Sequence, residues 1–155
     1  MAYRFLTDEM LREHCKADGD DNNVRLYGLA AEAVAEQKLN RNLYAHEDDL
    51  IAARVEARAA LSSAWSTYLE ARKNAGTDRT LLNLAERDYD RARADALRKL
   101  NGMVVNDAII GAMLMHACHL YSNRADVVTG QYAQAQEVPH NSDNIYRLYR
   151  YFEGT

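Results

Sequence analysis

Residues 105–121 carry an apolar side chain at nearly every position. A helix that is apolar only at i, i+3 and i+4 keeps one face in water, whereas a helix apolar on most sides must be covered by other elements. A membrane span needs roughly 20 uninterrupted apolar residues, and this run is shorter and contains His116 and His119. The run therefore predicts a central buried helix, capped at its start by Asn106 or Asp107, and not a membrane span.

The composition predicts an all-α fold. The chain has 155 residues, 48% of them hydrophobic, which is enough for one domain (residues 1–155) with a real core. It has a single proline and seven glycines among many Ala, Leu, Arg and Glu residues, so it favours helices and supplies few of the turns that a β fold needs.

Residues 47–101 predict a long helical hairpin. Two alanine-rich runs are separated by Gly76, Thr77 and Asp78, which suit a helix end followed by a helix start. Apolar residues recur at three and four spacing in both runs, as at an antiparallel seam, and each arm would be roughly 35 Å long. The outer faces mix Glu and Arg, which is typical of a solvated face; a docking surface for another chain is the alternative.

Shorter elements surround this hairpin. A first helix begins after Thr7 and ends near Lys16, and residues 21–39 predict an amphipathic core helix. Residues 125–155 predict an extended arm or loose hairpin that ends in a short helix, capped by Asn141, Ser142 or Asp143. The expected architecture is a small helical bundle around the central helix, with the hairpin as an insertion.

The C-terminus is rich in aromatic and basic residues. Residues 145–152 include four aromatics and two arginines, and Tyr and Arg are enriched where proteins touch each other. The alternative is that these side chains cover the domain's own core. The candidate interface residues are Arg124, Tyr132, Tyr146, Arg147, Tyr149, Arg150, Tyr151 and Phe152.

Few residues suggest chemistry. Residues 18–29 only partly match a calcium loop, because Asn23 stands where Gly is needed and Leu29 where the bidentate Glu is needed. His116 and His119 share a helix face but lack the Glu of a His-Glu-x-x-His site. The sequence contains no nucleophile elbow, phosphate loop or dinucleotide fingerprint. No cofactor, metal site or enzymatic activity is expected.

The net charge, the cysteines and the N-terminal residues predict the binding partners and the cellular compartment. A formal net charge of −4 gives no general attraction to nucleic acid. The two cysteines, Cys15 and Cys118, are far apart in sequence, so no disulfide is expected and a reducing compartment is the simpler assumption. The first residues lack the apolar core of a signal peptide, which favours the cytoplasm.

Several segments resemble the head–tail connector (adaptor, or head completion) family of tailed phages. In the first half these are residues 6–14 (LTDEMLREH), 26–34 (LYGLAAEAV) and 39–44 (LNRNLY). In the second half, the apolar helix ends in Tyr121-Ser122-Asn123-Arg124 and leads through a variable arm to Val138-Pro139 and the aromatic-basic end. Two departures stand out: residues 47–101 replace a brief connection, and His140-Asn141-Ser142 replaces a small-residue turn.

The resemblance implies a structural protein of the virion neck, assembled in the host cytoplasm. Its subunits would form a homo-oligomeric ring, a dodecamer, beneath the portal protein. The ring would bind the next neck or tail-completion protein and let double-stranded DNA pass without specific binding. The alternatives from other classes are a small helical-bundle enzyme, either a hydrolase or a metal enzyme using His116 and His119, and a regulatory protein that binds a partner through the hairpin.

Overall fold

The computed structural model describes residues 3–17, 23–122 and 141–152. Within them the chain forms six helices and two short strands: α1 (Asp8–Cys15), α2 (Asn23–Leu39), β1 (Leu43–Tyr44), α3 (Glu47–Ala75), α4 (Arg79–Leu100), β2 (Met103–Val104), α5 (Asp107–Ser122) and α6 (Asn141–Tyr149). The predicted all-α class is confirmed. The predicted arm at residues 125–140 lies outside the described residues. In the described ranges, no helix combines the length and apolarity that crossing a membrane requires.

The chain divides into two compact units. Unit 1 comprises Met1–Asn40 and Val105–Thr155, and unit 2 comprises Arg41–Val104. Unit 2 contains the hairpin predicted at residues 47–101 together with both short strands. Unit 1 is thus built from the two chain segments that flank unit 2 in sequence.

Helix α5 is the centre of unit 1, as the sequence predicted. It packs against α1, α2 and α6, and every residue from 109 to 121 is buried or half-buried. Ile109, Ala112 and Met113 are fully buried. The helix begins where expected, because the Asn106 side chain accepts a hydrogen bond from the Ile109 N–H at 3.0 Å.

A buried carboxylate fixes the N-terminal segment to α2. Glu32 is 7% exposed, and it accepts hydrogen bonds from the backbone N–H groups of Arg4 (3.1 and 3.2 Å), Phe5 (2.8 Å) and Leu6 (2.9 Å). Burying an ionised carboxylate is unfavourable unless hydrogen bonds replace its water, and these three amides do so. The segment before α1 is therefore held in place, and the Thr7 hydroxyl then caps α1 by accepting from the Met10 N–H.

A disulfide joins the last residue of α1 to α5, and the expectation of unpaired cysteines was wrong. The Cys15 and Cys118 Cα atoms lie 4.9 Å apart across a sequence separation of 103. Distance along the sequence gave no hint of this pairing, because the packing of α1 on α5 brings the two residues together. The argument for a reducing compartment therefore loses its basis.

Unit 2 is an antiparallel pair of helices with a narrow seam. The buried residues of the two helices are mostly alanines: Leu50, Ala57, Ala75, Ala85 and Ala96. The turn lies where it was predicted, and the Asp78 side chain accepts from the N–H groups of Thr80 and Leu81. Gly76 has the positive φ expected of it, 56°, but its ψ of −111° lies outside the predicted left-handed helical conformation. Small residues at the seam let the two backbones approach closely.

Two short parallel strands close unit 2 at the end opposite the turn. Leu43 pairs with Met103 and Tyr44 with Val104, and the Met103 N–H donates to the Asn42 carbonyl at 3.1 Å. A glycine fits there, since a Cβ at position 102 would lie 2.5 Å from the Tyr44 ring and 3.0 Å from two backbone carbonyl oxygens. The chain consequently leaves unit 2 beside the point where it entered.

Candidate docking surface at the C-terminal helix

Helix α6 is anchored in unit 1 through one face. Tyr146 is 1% exposed and Ser142 is 2% exposed, and the helix packs on α5 and α2. An ion pair between Lys38 and Asp143, with N···O 2.8 Å, ties the start of α6 to the end of α2. The other face of α6 is consequently presented in a fixed orientation.

The residues after α6 are also held in place. The Tyr151 N–H donates to the Leu39 carbonyl at 2.9 Å, and the Asn40 side-chain amide donates to the Tyr151 carbonyl at 3.4 Å. The last carbonyls of a helix have no partner within the helix, so Tyr151 satisfies one of them at the end of α2. This contact fixes the direction of the chain at Phe152.

The outward face of this region carries a patch of apolar and basic side chains, which we call the C-terminal patch: Arg147, Leu148, Arg150 and Phe152. Leu148 is 81% exposed, the largest value among the large hydrophobic side chains described, and Phe152 is 55% exposed. The Arg150 guanidinium lies 5.4 Å from the centre of the Phe152 ring, within cation–π range. Leu148 and Phe152 also line a groove with Asn144, Ile145 and Arg147.

The predicted interface residues differ in their exposure. Arg147, Arg150 and Phe152 are exposed, and Tyr149 and Tyr151 are half-buried. Tyr146 lies in the core of unit 1, so we leave it out of the candidate surface. Arg124 and Tyr132 lie outside the described residues.

Leu148 is the residue that sequence reasoning missed. Residues two apart on a helix point in different directions, so the burial of Tyr146 leaves Leu148 facing outward. The available signal was this spacing, but counting aromatic and basic residues gave no indication of which face would be inside.

The side chains of the C-terminal patch are suited to binding another molecule rather than to catalysis or metal binding. Its polar groups are two guanidiniums, which can only donate hydrogen bonds. Burial raises the pKa of the Tyr146 phenol, and the nearby Asp143 carboxylate raises it further, so this hydroxyl stays neutral in the core. No group of three or more His, Cys, Asp or Glu side chains lies close enough to hold a metal ion within the ranges that the structure describes.

Comparison with protein-family models, with curated proteins and with solved structures finds no match to this chain.

Proposed function

We propose that the chain is a structural protein of a tailed-phage neck, which forms a ring under the portal, extends the DNA channel and joins head to tail. The observation that supports this most is the composition of unit 1. The two halves that resemble the connector family are separated by the hairpin in sequence, yet nearly all of both halves fold together in unit 1. The hairpin, which is the main departure from the family, forms a unit of its own.

The C-terminal patch is the proposed portal-binding surface. Arginine and aromatic side chains, here Arg147, Arg150 and Phe152, are enriched at protein interfaces, and Leu148 adds exposed apolar area beside them. The backbone that carries the patch is held by the buried Tyr146 and by the Tyr151–Leu39 hydrogen bond, so little backbone ordering is needed on binding. The net charge of −4 is compatible with a channel through which DNA slides without sticking.

Ring formation in the presence of portal is the decisive measurement. The purified chain should enter a large complex in size-exclusion chromatography with light scattering only when purified portal from the same phage is added. If the wild-type chain does not bind that portal, the proposal is wrong.

Surface substitutions locate the portal contact better than truncation does. A deletion of residues 144–155 would remove Tyr146 from the core and would confound binding with folding. The double variant Leu148→Glu/Phe152→Glu should instead stay folded and lose portal binding, because it puts carboxylates into an apolar contact. The matched control is Leu84→Glu in unit 2, where the leucine is 52% exposed. Unimpaired binding by the double variant would refute this role of the patch.

A further inference from the structure

Helix α3 exposes a second apolar surface beside the seam that it forms with α4; one member, Trp65, also contacts Tyr89 of α4, with 5.3 Å between ring centroids. We call it the α3 stripe; its four members are 46–63% exposed, and they are Ile51, Val55, Trp65 and Leu69. With Arg58 and Ser62 between them they recur at alternating four and three spacing. That spacing places all six side chains along one face of the helix, as at a coiled-coil contact with another helix, with apolar residues at both ends and the polar Arg58 and Ser62 in the middle.

The two ends of α3 carry opposite charges. Glu47, Asp48 and Asp49 lie in its first turn, and Arg72 and Lys73 lie in its last turn. All five are exposed. Among the described residues they take part in no ion pair. Each charge suits its own end of the helix dipole, and each also remains available to a partner.

We propose that the α3 stripe binds the α3 stripe of a second copy of this chain in antiparallel orientation. In one alignment of the two helices, apolar residues face apolar residues and acidic residues face basic residues. If Ile51 faces the partner's Leu69, then Val55 faces the partner's Trp65 and Arg58 faces the partner's Ser62. The same register places Asp48 opposite the partner's Arg72 and Glu47 opposite the partner's Lys73.

The pattern favours a second copy over an unrelated helix. Because the stripe is self-complementary, the contact repeats itself across a two-fold axis, as in the commonest homodimers. A parallel pair would bring acidic ends together and basic ends together, and like charges repel. Ala59 and Ser62 near the axis are exposed and small, so they allow the helices to approach closely.

This contact is independent of the proposed neck function. A two-fold contact joins a pair of subunits and does not build a ring, which requires two different surfaces on each subunit. It also uses unit 2 only, whereas the C-terminal patch belongs to unit 1. A chain that binds portal but stays monomeric in its absence would overturn this inference and leave the proposed function intact.

Sedimentation of the full chain tests the proposal. The wild-type protein should dimerise with increasing concentration, and its fluorescence should change with it, because Trp65 is the only tryptophan. Val55→Glu/Leu69→Glu should weaken the dimer by about a hundredfold or more, since it buries carboxylates without partners. The control Leu81→Glu/Leu84→Glu alters leucines of α4 that are 49% and 52% exposed and should leave dimerisation unchanged. A monomeric wild type, or an unaffected stripe variant, would disprove the contact.

Charge reversal tests the orientation of the pair. Arg72→Glu/Lys73→Glu and Glu47→Lys/Asp48→Lys should each weaken self-association, because each places like charges at both ends of the dimer. Mixing the two variants should restore association as a heterodimer, which loss of folding would not produce. If the mixture associates no better than its components, the antiparallel register is wrong.

Cross-linking gives an independent check of the register. A mixture of Ile51→Cys and Leu69→Cys proteins should form a mixed disulfide between positions 51 and 69 on mild oxidation. Cross-links only between identical positions would show a parallel pair and would contradict the proposal.

Discussion

Replacing Glu32 should strongly destabilise unit 1. Its carboxylate accepts from three successive backbone amides, those of residues 4–6, and it is only 7% exposed. Glu32→Ala removes the acceptor altogether, whereas Glu32→Gln keeps one oxygen and removes the charge. The two variants therefore separate the loss of the acceptor from the loss of ionisation.

The size of the effect follows from the burial of the three donors. A buried donor left without a partner costs about 1–3 kcal/mol, and hydrogen bonds to charged groups contribute about 1.5–3 kcal/mol each. The Leu6 amide is buried, whereas those of Arg4 and Phe5 are only partly buried and can regain water. We expect Glu32→Ala to lower the free energy of unfolding by about 3 kcal/mol and Glu32→Gln by about 2 kcal/mol. For a chain of this size the alanine variant should lose about 6–12 °C in Tm.

Hydrogen exchange and denaturation together check this prediction. The amides of residues 4–6 should exchange faster in both variants, and this signal reports on unit 1. Tryptophan fluorescence follows unit 2, because Trp65 lies there. Urea denaturation monitored by circular dichroism gives the change in free energy of unfolding.

Glu36→Gln is the matched control. Glu36 lies one turn further along α2 and pairs with the Arg4 guanidinium at 2.8 Å, at the surface. Exposed ion pairs contribute about 0–1 kcal/mol, so this variant should be nearly neutral. If Glu32→Ala and Glu36→Gln lose similar, small free energies, the buried carboxylate does not anchor the N-terminal segment and the reasoning fails.

Three further predictions concern other parts of unit 1. Replacing Cys15 and Cys118 by Ser should lower the free energy of unfolding by about 2–5 kcal/mol, because the disulfide closes a long loop; an unchanged urea midpoint would contradict this. Gly111→Ala should stabilise α5 by about 0.5–1 kcal/mol, since no described atom outside the nearby backbone of its own helix lies within 4 Å of the added methyl. Gly28→Ala should instead lower the stability of unit 1 by about 1–3 kcal/mol, because its methyl would lie 2.5 Å from the side chain of the buried Leu11. Equal Tm shifts for the two variants would count against both predictions. Burial raises the pKa of Tyr146, so the folded state holds the phenol proton more tightly than the unfolded state, and the stability that this gives is lost as the pH rises above about 10. Tyr146→Phe should therefore reduce the loss of folding stability at alkaline pH. If the free energy of unfolding depends on pH identically in the variant and the wild type, this prediction is wrong.

The sequence was sufficient to predict those features of the structure that depend on residues close together in the chain. Thr7, Asp78 and Asn106 were each expected at a helix start, and each accepts a hydrogen bond from an amide two or three positions later. The central position of α5 also followed from local information, because a helix apolar on most sides has to be covered. Spacing in the alanine-rich runs likewise predicted the helices and the turn of unit 2.

The sequence did not predict features that depend on contacts between residues far apart in the chain. The pairing of Leu43 with Met103 and the disulfide of Cys15 with Cys118 both bring together residues that are far apart in sequence. A two-residue strand has too few positions to show alternation, and two cysteines alone do not specify a partner. The candidate site was foreseen as a region, but the inward face of α6 was not, so Tyr146 was assigned to the surface and Leu148 was overlooked.

The strand pair at the base of unit 2 bears on how such a chain can change over evolutionary time. Because Asn42 and Met103 are already joined by a hydrogen bond, whatever lies between them begins and ends at the same spot. Helical turns could be added or removed near Gly76 without altering that closure, and the entropy of closing a loop depends only weakly on its length. The hairpin can thus change in length while the points at which the chain enters and leaves it stay the same.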